Sequence, residues 1–361
     1  MKGLYIHIPF CKSKCKYCGF FSECKDEEVI LAYINALKNE LKLYEDDKFD
    51  TIYIGGGTPS LLKPELLYDL LEYLYKLNGD NAVESTMEVN PDSVNSEQLE
   101  ILKMFNFNRI SIGIQSLDDD VLKFLGRVHT AKKGFDAIEM VMRMGGFSIN
   151  CDIIYDIPTI PYDKISYTLN KLTELPIDHI SAYNYSFDTD FLKEDYDAES
   201  YFYEVKDYIE SKSFMQYEIS NFAIEGFESK HNINYWMMGE YIGVGVASHS
   251  MYYDDCLRVR SAHREGIDEY IKDCYDIEKQ FITQYEQPIE DIVFGLRMIK
   301  GVDLTGISKR YDLDISMIMD RCYQLFDENF LEVRGDRLCL TRKGQLYLDY
   351  VQQYLWDRFT S

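Results

Sequence analysis

No run of this chain approaches the roughly 20 uninterrupted apolar residues that a membrane-spanning helix requires. Its first residues, MKGLYIHIPFC, have neither an apolar stretch of signal-peptide length nor a small-residue cleavage site, so a cytoplasmic protein is expected. Positive charge is also scarce. Against 62 aspartates and glutamates there are 38 lysines and arginines, a formal net charge of -24. No basic stripe with interleaved aromatics reverses that balance locally, which argues against nucleic acid as a partner. The same charge disfavours direct binding to anionic lipid and directs any contact with a membrane complex to its protein. A disulfide framework is not expected either: the nine cysteines are an odd number, and thiols stay reduced in the cytoplasm. A second C-x2-C knuckle, the usual companion in structural zinc sites, is missing.

What is present is a hydrophobic fraction of 46% in 361 residues, enough for one large core and a smaller one. Up to about residue 190, short β-rich runs (LYIHI, TIYIG, STMEV, RISIG, INCDIIY, HISAYNY) alternate with amphipathic stretches near 28–44, 63–77, 96–105, within 118–144 and near 162–174. Six strands separated by helices predict βαβ units and a parallel sheet. Periodicity leaves open whether that sheet is flat or rolled into a barrel. In either case the segments GGG, EVNP, GIQS and CDIIYDIP share one end, because parallel strands finish together and ligands bind outside their carboxyl ends. Residues 191–285 read as an extension of the sheet, with a helix near 196–211, a strand near 214–220 and the Gly-broken aromatic segment HNINYWMMGEYIGVGVASHS. From 286 onward, helices near 287–299, 304–310 and 315–328, a hairpin turning at Gly335-Asp336 and a last helix predict a small winged-helix-like α+β domain. Its acidity favours a protein contact or a lid over DNA.

Chemistry concentrates in CKSKCKYCGFFSEC, where Cys11, Cys15 and Cys18 follow the first strand with C-x3-C-x2-C spacing. Three such thiolates can hold three corners of a cubane iron-sulfur cluster and leave one iron open to a ligand. A structural zinc ion would need a fourth donor, which Cys24 could supply. Cys151, Cys256, Cys274, Cys322 and Cys339 are scattered and read as buried small hydrophobes. Gly55, Gly56 and Gly57 permit close approach of backbone N–H groups to a small charged ligand or, alternatively, a tight βα turn, and Thr58-Pro59 suits the start of the next helix. Glu88 and Asp152 place carboxylates at the ends of apolar strands, where a ribose or an ammonium would satisfy them. Gln115 and Arg127 can hydrogen-bond the same ligand. Singly, each of these polar groups is commonly a solvated loop residue; their shared sheet edge is what points to a site.

In order and register, from residue 3 to near the C-terminus, YIHIPFC-x3-C-x2-C, GGGTPS, EVNP, RISIGIQS, LGRVH and NCDIIYDIP resemble the radical S-adenosylmethionine (SAM) superfamily. The resemblance is to the branch of oxygen-independent coproporphyrinogen III oxidases and the related haem chaperones. It implies an α/β fold: a partial (β/α)6 TIM-like barrel over residues 1–190, the extension over 191–285, and the C-terminal domain over 286–361. It further implies a [4Fe-4S] cluster on Cys11, Cys15 and Cys18, with SAM chelating the open iron and Cys24 a bystander. Tyr5, Gly56, Gly57, Thr58, Glu88, Gln115, Arg127, Asp152 and Tyr183 would line the SAM site.

Two departures separate this chain from the oxidases. They have a further cysteine two residues after the third ligand, where Phe20 stands here, and a substantial segment before the cluster, where Cys11 here follows only ten residues. HNINYW, by contrast, matches the HNxxYW signature of the chaperones. The expected function is therefore haem transfer to apo-hemoproteins, respiratory membrane complexes included, with radical decarboxylation of coproporphyrinogen as the alternative. Imidazole is the commonest haem ligand, so His231 is the expected axial ligand, beside Asn232 and an aromatic wall of Tyr235 and Trp236. The competing reading has His231 and Asn232 tying down a turn while the aromatics pack. His249 is a second imidazole, in a Gly-rich setting that equally suits a closing loop. A homodimer would cover an open sheet edge and a surface haem. One local departure affects SAM: the branch has Y-G-L-P-G after the fifth strand, where this chain has Tyr155-Asp156-Ile157-Pro158-Thr159.

Overall fold

The structure, a computed structural model, describes residues 1–157, 160–185, 198–255 and 257–360. Six parallel strands lie side by side in chain order: β1 (Lys2–Ile8), β2 (Thr51–Gly56), β3 (Glu84–Val89), β4 (Arg109–Gln115), β5 (Ser148–Tyr155) and β6 (His179–Asn184). Between them run α1 (Glu27–Leu41), α2 (Pro64–Asn78), α3 (Ser96–Met104), the pair α4 (Asp119–Leu125) and α5 (Ala131–Met144), and α6 (Tyr162–Thr173). Local signals start and stop these helices. Asp26 caps α1 by accepting from Val29 N, Asn95 and Gln98 form a reciprocal capping box on α3, and α4 ends on the left-handed Gly126.

The strands are two-sided. In β4, Ile110, Ile112 and Ile114 belong to the hydrophobic core, whereas Arg109, Ser111, Gly113 and Gln115 line a cavity on the other face. β5 does the same, with Cys151 and Ile153 in the core and Asn150 and Asp152 at the cavity. The polar inner face is what turns a helix-covered parallel sheet into a partial (β/α)6 barrel with a usable interior.

The sheet continues beyond the barrel. After α7 (Ala198–Glu210), β7 (Met215–Glu218) and β8 (Asn221–Ala223) add antiparallel to β6. A short helix, α8 (Lys230–Trp236), leads to β9 (Glu240–Val244), which pairs parallel with β1. The antiparallel strands β10 (His249–Asp254) and β11 (Leu257–His263), then α9 (Ile267–Lys272) and β12 (Ile277–Ile282), complete a twelve-stranded sheet. Residues of this extension, such as Val205, Phe214, Phe222, Ile242 and Val244, pack into the same core as the barrel.

A second core gathers Ile292, Leu296, Ile318, Cys322, Leu325, Val351 and Leu355. It lies among α10 (Gln287–Gly295), α11 (Leu304–Tyr311), α12 (Ile315–Asp327), α13 (Arg342–Leu346) and α14 (Leu348–Thr360). A three-stranded sheet, with β15 (Arg337–Leu340) between β13 (Val302–Asp303) and β14 (Leu331–Arg334), closes it, and the hairpin turns at the left-handed Gly335. Among the described residues no helix is long and apolar enough to cross a membrane.

The two cores are tied by a buried arginine. Arg258 on β11 is fully buried and donates to Glu290 at 2.9 Å and Asp291 at 2.6 Å, both on α10. It also donates to the hydroxyls of Tyr253 and Tyr311. Arg258→Ala leaves two buried carboxylates short of their counter-charge and should cost about 3–5 kcal/mol. Urea denaturation should show a correspondingly lower midpoint; an unchanged midpoint would mean that Arg260 and Arg310 suffice.

Candidate cofactor-binding cavity

At the carboxyl ends of the barrel strands lies a cavity of about 380 Å³, bounded by the cysteine loop and by the polar inner faces of β2 to β6. The loop is anchored to its surroundings through its backbone: Glu23 N donates to Pro9 O, Cys11 N to Glu23 O, and Lys16 N to Leu125 O. Cys11, Cys15 and Cys18 all reach the cavity and are half-buried. Arg127 donates to Cys15 Sγ at 3.7 Å while holding Asn90 and the Gly113 carbonyl at 2.7 Å each. Cys11 Sγ lies 3.5 Å from Thr58 Oγ1. Cys24 is exposed and its thiol donates to the carbonyls of Cys11 and Lys12 at 2.9 and 3.2 Å, which clasps the base of the loop.

Glycine is required in the GGG turn by packing as much as by any ligand. A Cβ on Gly56, at φ +107°, would strike the His7 ring, and one on Gly57 would strike the backbone of Ile8 and Phe10. Glu88 accepts from Tyr53 Oη at 2.7 Å and Gly56 N at 3.1 Å, and burial pushes its carboxyl up to about 7. Burial likewise raises Asp152, which accepts from Ser111 Oγ at 3.1 Å and Asn150 Nδ2 at 2.8 Å. Asn150 bonds His179, His179 bonds Tyr217, and Tyr217 accepts from Ser229 N, so a continuous relay runs from Asp152 to the start of α8.

Of the residues expected around SAM, Gly56, Gly57, Thr58, Glu88, Gln115, Arg127, Asp152 and Tyr183 line the cavity. Tyr5 does not. It stacks on Tyr53 and hydrogen-bonds His7 Nδ1 at 2.9 Å, one layer back. Tyr53, Asn90, Arg109, Ser111, Asn150 and Ser181 line the cavity without having been singled out by sequence. Their signal was the period of two: each except Asn90 sits two residues, or a multiple of two, from a recognised position on its own strand or faces one across the sheet. Asp156, which replaces the first glycine of Y-G-L-P-G, still adopts a left-handed backbone at φ +63° and accepts from Asn184 at 3.2 Å. Pro158 and Thr159 lie outside the described residues.

HNINYW occupies the opposite end of the barrel, where its side chains are engaged with protein groups and do not form the haem-facing wall expected of them. The Glu84 carboxylate accepts from the backbone N–H groups of Lys230 and His231 at 2.8 and 3.0 Å, seating α8 against the amino ends of the strands. His231 is 1% exposed. Its Nδ1 bonds Thr51 Oγ1 at 2.8 Å and its Nε2 bonds Tyr235 Oη at 2.7 Å, so neither nitrogen is open to iron. Burial, then Arg109, lowers its pKa to about 3. Trp236 packs under the Arg297 guanidinium, 4.4 Å from the ring centre, and only Asn232 of the four expected haem residues reaches the cavity.

Residues 5–172 match the family model of the radical SAM superfamily, and residues 282–347 match the HemN C-terminal domain. The chain is 31% identical to the heme chaperone HemW of Lactococcus lactis, over 98% of this chain and 97% of that protein. With the heme chaperone HemW of Bacillus subtilis the identity is 30%, over 96% and 97%. The chain belongs to the HemW family of radical SAM proteins. The solved structure of coproporphyrinogen III oxidase (HemN) from Escherichia coli, a radical SAM enzyme, superimposes with a TM-score of 0.83 over 98% of this chain and 89% of that one. At 20% identity that likeness is one of fold.

Radical SAM proteins carry a [4Fe-4S] cluster and SAM, and the donor set suits both. Among the described residues no three His, Cys, Asp or Glu side chains are gathered tightly enough for a single ion. A cubane does not require that, because each thiolate binds a different iron. Beneath the loop, Glu88, Asp152 and Gln115 offer acceptors for the hydroxyl and ammonium groups of SAM. Because Glu88 titrates near 7 and the ligand is a sulfonium cation, SAM should bind more tightly as the pH rises through about 7. Calorimetric titration of anaerobically reconstituted protein at pH 6 and pH 8 should show this, and Glu88→Gln should remove most of the difference. An equal pH dependence in the variant would assign it to another group.

Proposed function

We propose that this HemW-family protein is a haem chaperone of the radical SAM type, which binds haem and passes it to apo-hemoproteins in the cytoplasm. The observation that carries the reading is the end-to-end similarity, at 31% and 30% identity, to heme chaperones of two bacteria. Cys11, Cys15 and Cys18 would hold the cluster, whose chemistry is one-electron reduction of SAM bound at the open iron. Around it, Arg127 pins the loop to β4, and Tyr53 and Gly56 hold Glu88 in place. In this reading residues 1–190 form the cofactor barrel, 191–285 its extension and 286–361 a domain for protein contact. Phe20, 63% exposed at the cavity rim, stands where the oxidases carry a cysteine, and this favours a carrier over a decarboxylase.

Burial also bears on the choice of haem ligand. His7, His129, His179, His231 and His263 are all buried, and among the described residues His249 is the exposed histidine. It begins β10, antiparallel to β9, and therefore lies at the end of the sheet that carries the cysteine loop. His249, not His231, is the imidazole that iron can reach.

Hemin titration of the reconstituted protein by difference absorbance tests both steps. A saturable Soret band, shifted or weakened by His249→Ala, is expected, whereas His231→Ala should chiefly lower the melting temperature by breaking the barrel floor. No saturable band in the unaltered protein would end the chaperone reading and make anaerobic turnover of coproporphyrinogen the next assay. Cys15→Ser should abolish cluster assembly, read as lost iron and sulfide; unchanged contents would remove the cluster assignment.

A further inference from the structure

Asn90 follows β3 directly and joins the surroundings of two of the three loop thiols. Its Oδ1 accepts from Arg127 Nη2 at 2.7 Å, and its Nδ2 donates to Thr58 Oγ1 at 2.9 Å. Both partners reach sulfur. Arg127 Nη1 donates to Cys15 Sγ at 3.7 Å, and Thr58 Oγ1 lies 3.5 Å from Cys11 Sγ. Asn90 is itself held in place: its backbone N–H donates to Ser60 Oγ at 3.0 Å, and its carbonyl accepts from Ser93 N and Val94 N at 3.1 Å each. A Cβ on Gly113 would come within 2.8 Å of the Asn90 Oδ1, so β4 is bare where this side chain crosses it.

The direction of these bonds follows from chemistry. A guanidinium can only donate, so the amide oxygen must face Arg127 and the amide nitrogen must face Thr58. The amide N–H then occupies a lone pair of the Thr58 hydroxyl and leaves the hydroxyl proton free to point at Cys11. A thiolate bound to iron has no proton and can only accept, so in the loaded protein the Thr58 hydroxyl is the donor of that contact. One amide thereby aims a donor at each of two ligand sulfurs. Hydrogen bonds to cluster sulfurs stabilise the more negative, reduced state and raise the reduction potential.

We infer that Asn90 is a positioning residue that sets the reduction potential of the cluster, acting through Thr58 and Arg127. The inference rests on the cluster and not on the haem-transfer reading.

The test follows the one-electron couple of the cluster by electron paramagnetic resonance during dithionite titration of anaerobically reconstituted protein, before SAM is added. Asn90→Asp keeps an acceptor for Arg127 but replaces the N–H with an oxygen that draws the Thr58 proton away from Cys11. The midpoint should fall, by about 59 mV where the lost bond changes the reduction equilibrium about tenfold. Thr58→Val should lower it as well. A new carboxylate also lowers the potential by its charge alone, so the two substitutions are combined, and Asn90→Asp should have a clearly smaller effect in the Thr58→Val background. An unchanged midpoint in Asn90→Asp at wild-type iron and sulfide content overturns the inference. So does a shift of equal size in both backgrounds, which would make the effect one of charge only. Should Asn90→Asp assemble no cluster, Asn90→Ala, which removes the N–H without adding charge, is measured in both backgrounds and judged by the same rule. A wild type that takes up no iron and sulfide overturns this inference and the cluster assignment together, whereas hemin binding bears on neither.

Discussion

The fold turns on the satisfaction of polar groups on the inner face of six parallel strands. Parallel strands covered on both faces are ordinarily apolar on both. Here the inner face carries Arg109, Ser111, Asn150, Asp152, Glu88 and His179, and each uncompensated group would cost a large part of a domain's net stability. The solution is layered. Hydroxyl and amide donors neutralise the carboxylates in the middle of the barrel, and α8 closes the bottom with His231 bonded to Thr51 and Glu84 seated on the helix N-terminus. At the top the cysteine loop covers the remaining opening. Among the described residues Arg109 makes no side-chain hydrogen bond, and its charge acts through space on Glu88 and Asp152, lowering both.

How far the sequence could be read follows from how local each determinant is. β1 to β6 were legible because alternation and turn residues mark each strand within its own stretch, and the C-x3-C-x2-C loop because its cysteines are neighbours in the chain. The placement of HNINYW was not legible, for the opposite reason. Seven residues are too few to show a helical period, and the burial of His231 is decided by Thr51, 180 positions away. An imidazole beside aromatics looks the same in sequence whether it faces a porphyrin or a barrel floor. Tyr5 illustrates the same limit at smaller scale, since its strand was correct and its rank in the stack was not. Cys24 is set apart from the other three thiols by its spacing, but its bonds to the carbonyls of Cys11 and Lys12 could not be inferred from spacing.

The extension was the least legible part, and its tertiary contacts explain why. β9 joins the barrel beside β1 through backbone pairing, and its flanks are fixed by Glu40 of α1, which accepts from Gly245 N at 3.0 Å and bonds His263 at 2.7 Å. Arg258 then ties the far edge of the sheet to α10. Both ties join polar groups more than thirty residues apart in sequence, so hydrophobic pattern says nothing about them. Their consequence is mechanical. Sheet edge, barrel and C-terminal helices are joined through buried, paired groups, and displacement of one without the others would expose an unpaired ion.

Closure of the floor sets the direction of traffic. Among the described residues, α8 seated on Glu84 and the bonded His231 close the amino end of the barrel, and the cavity opens toward the cysteine loop at the carboxyl ends of the strands. His249 faces solvent at that same end. A haem bound there would lie beside the cluster loop, so occupancy of one site would bear on access to the other. Coupling of that kind needs no long-range pathway; two ligands that share one mouth exclude or favour each other by contact. The three thiols line the entrance and the open imidazole stands at the same end of the sheet, the arrangement that control of haem release by the cluster and SAM would require.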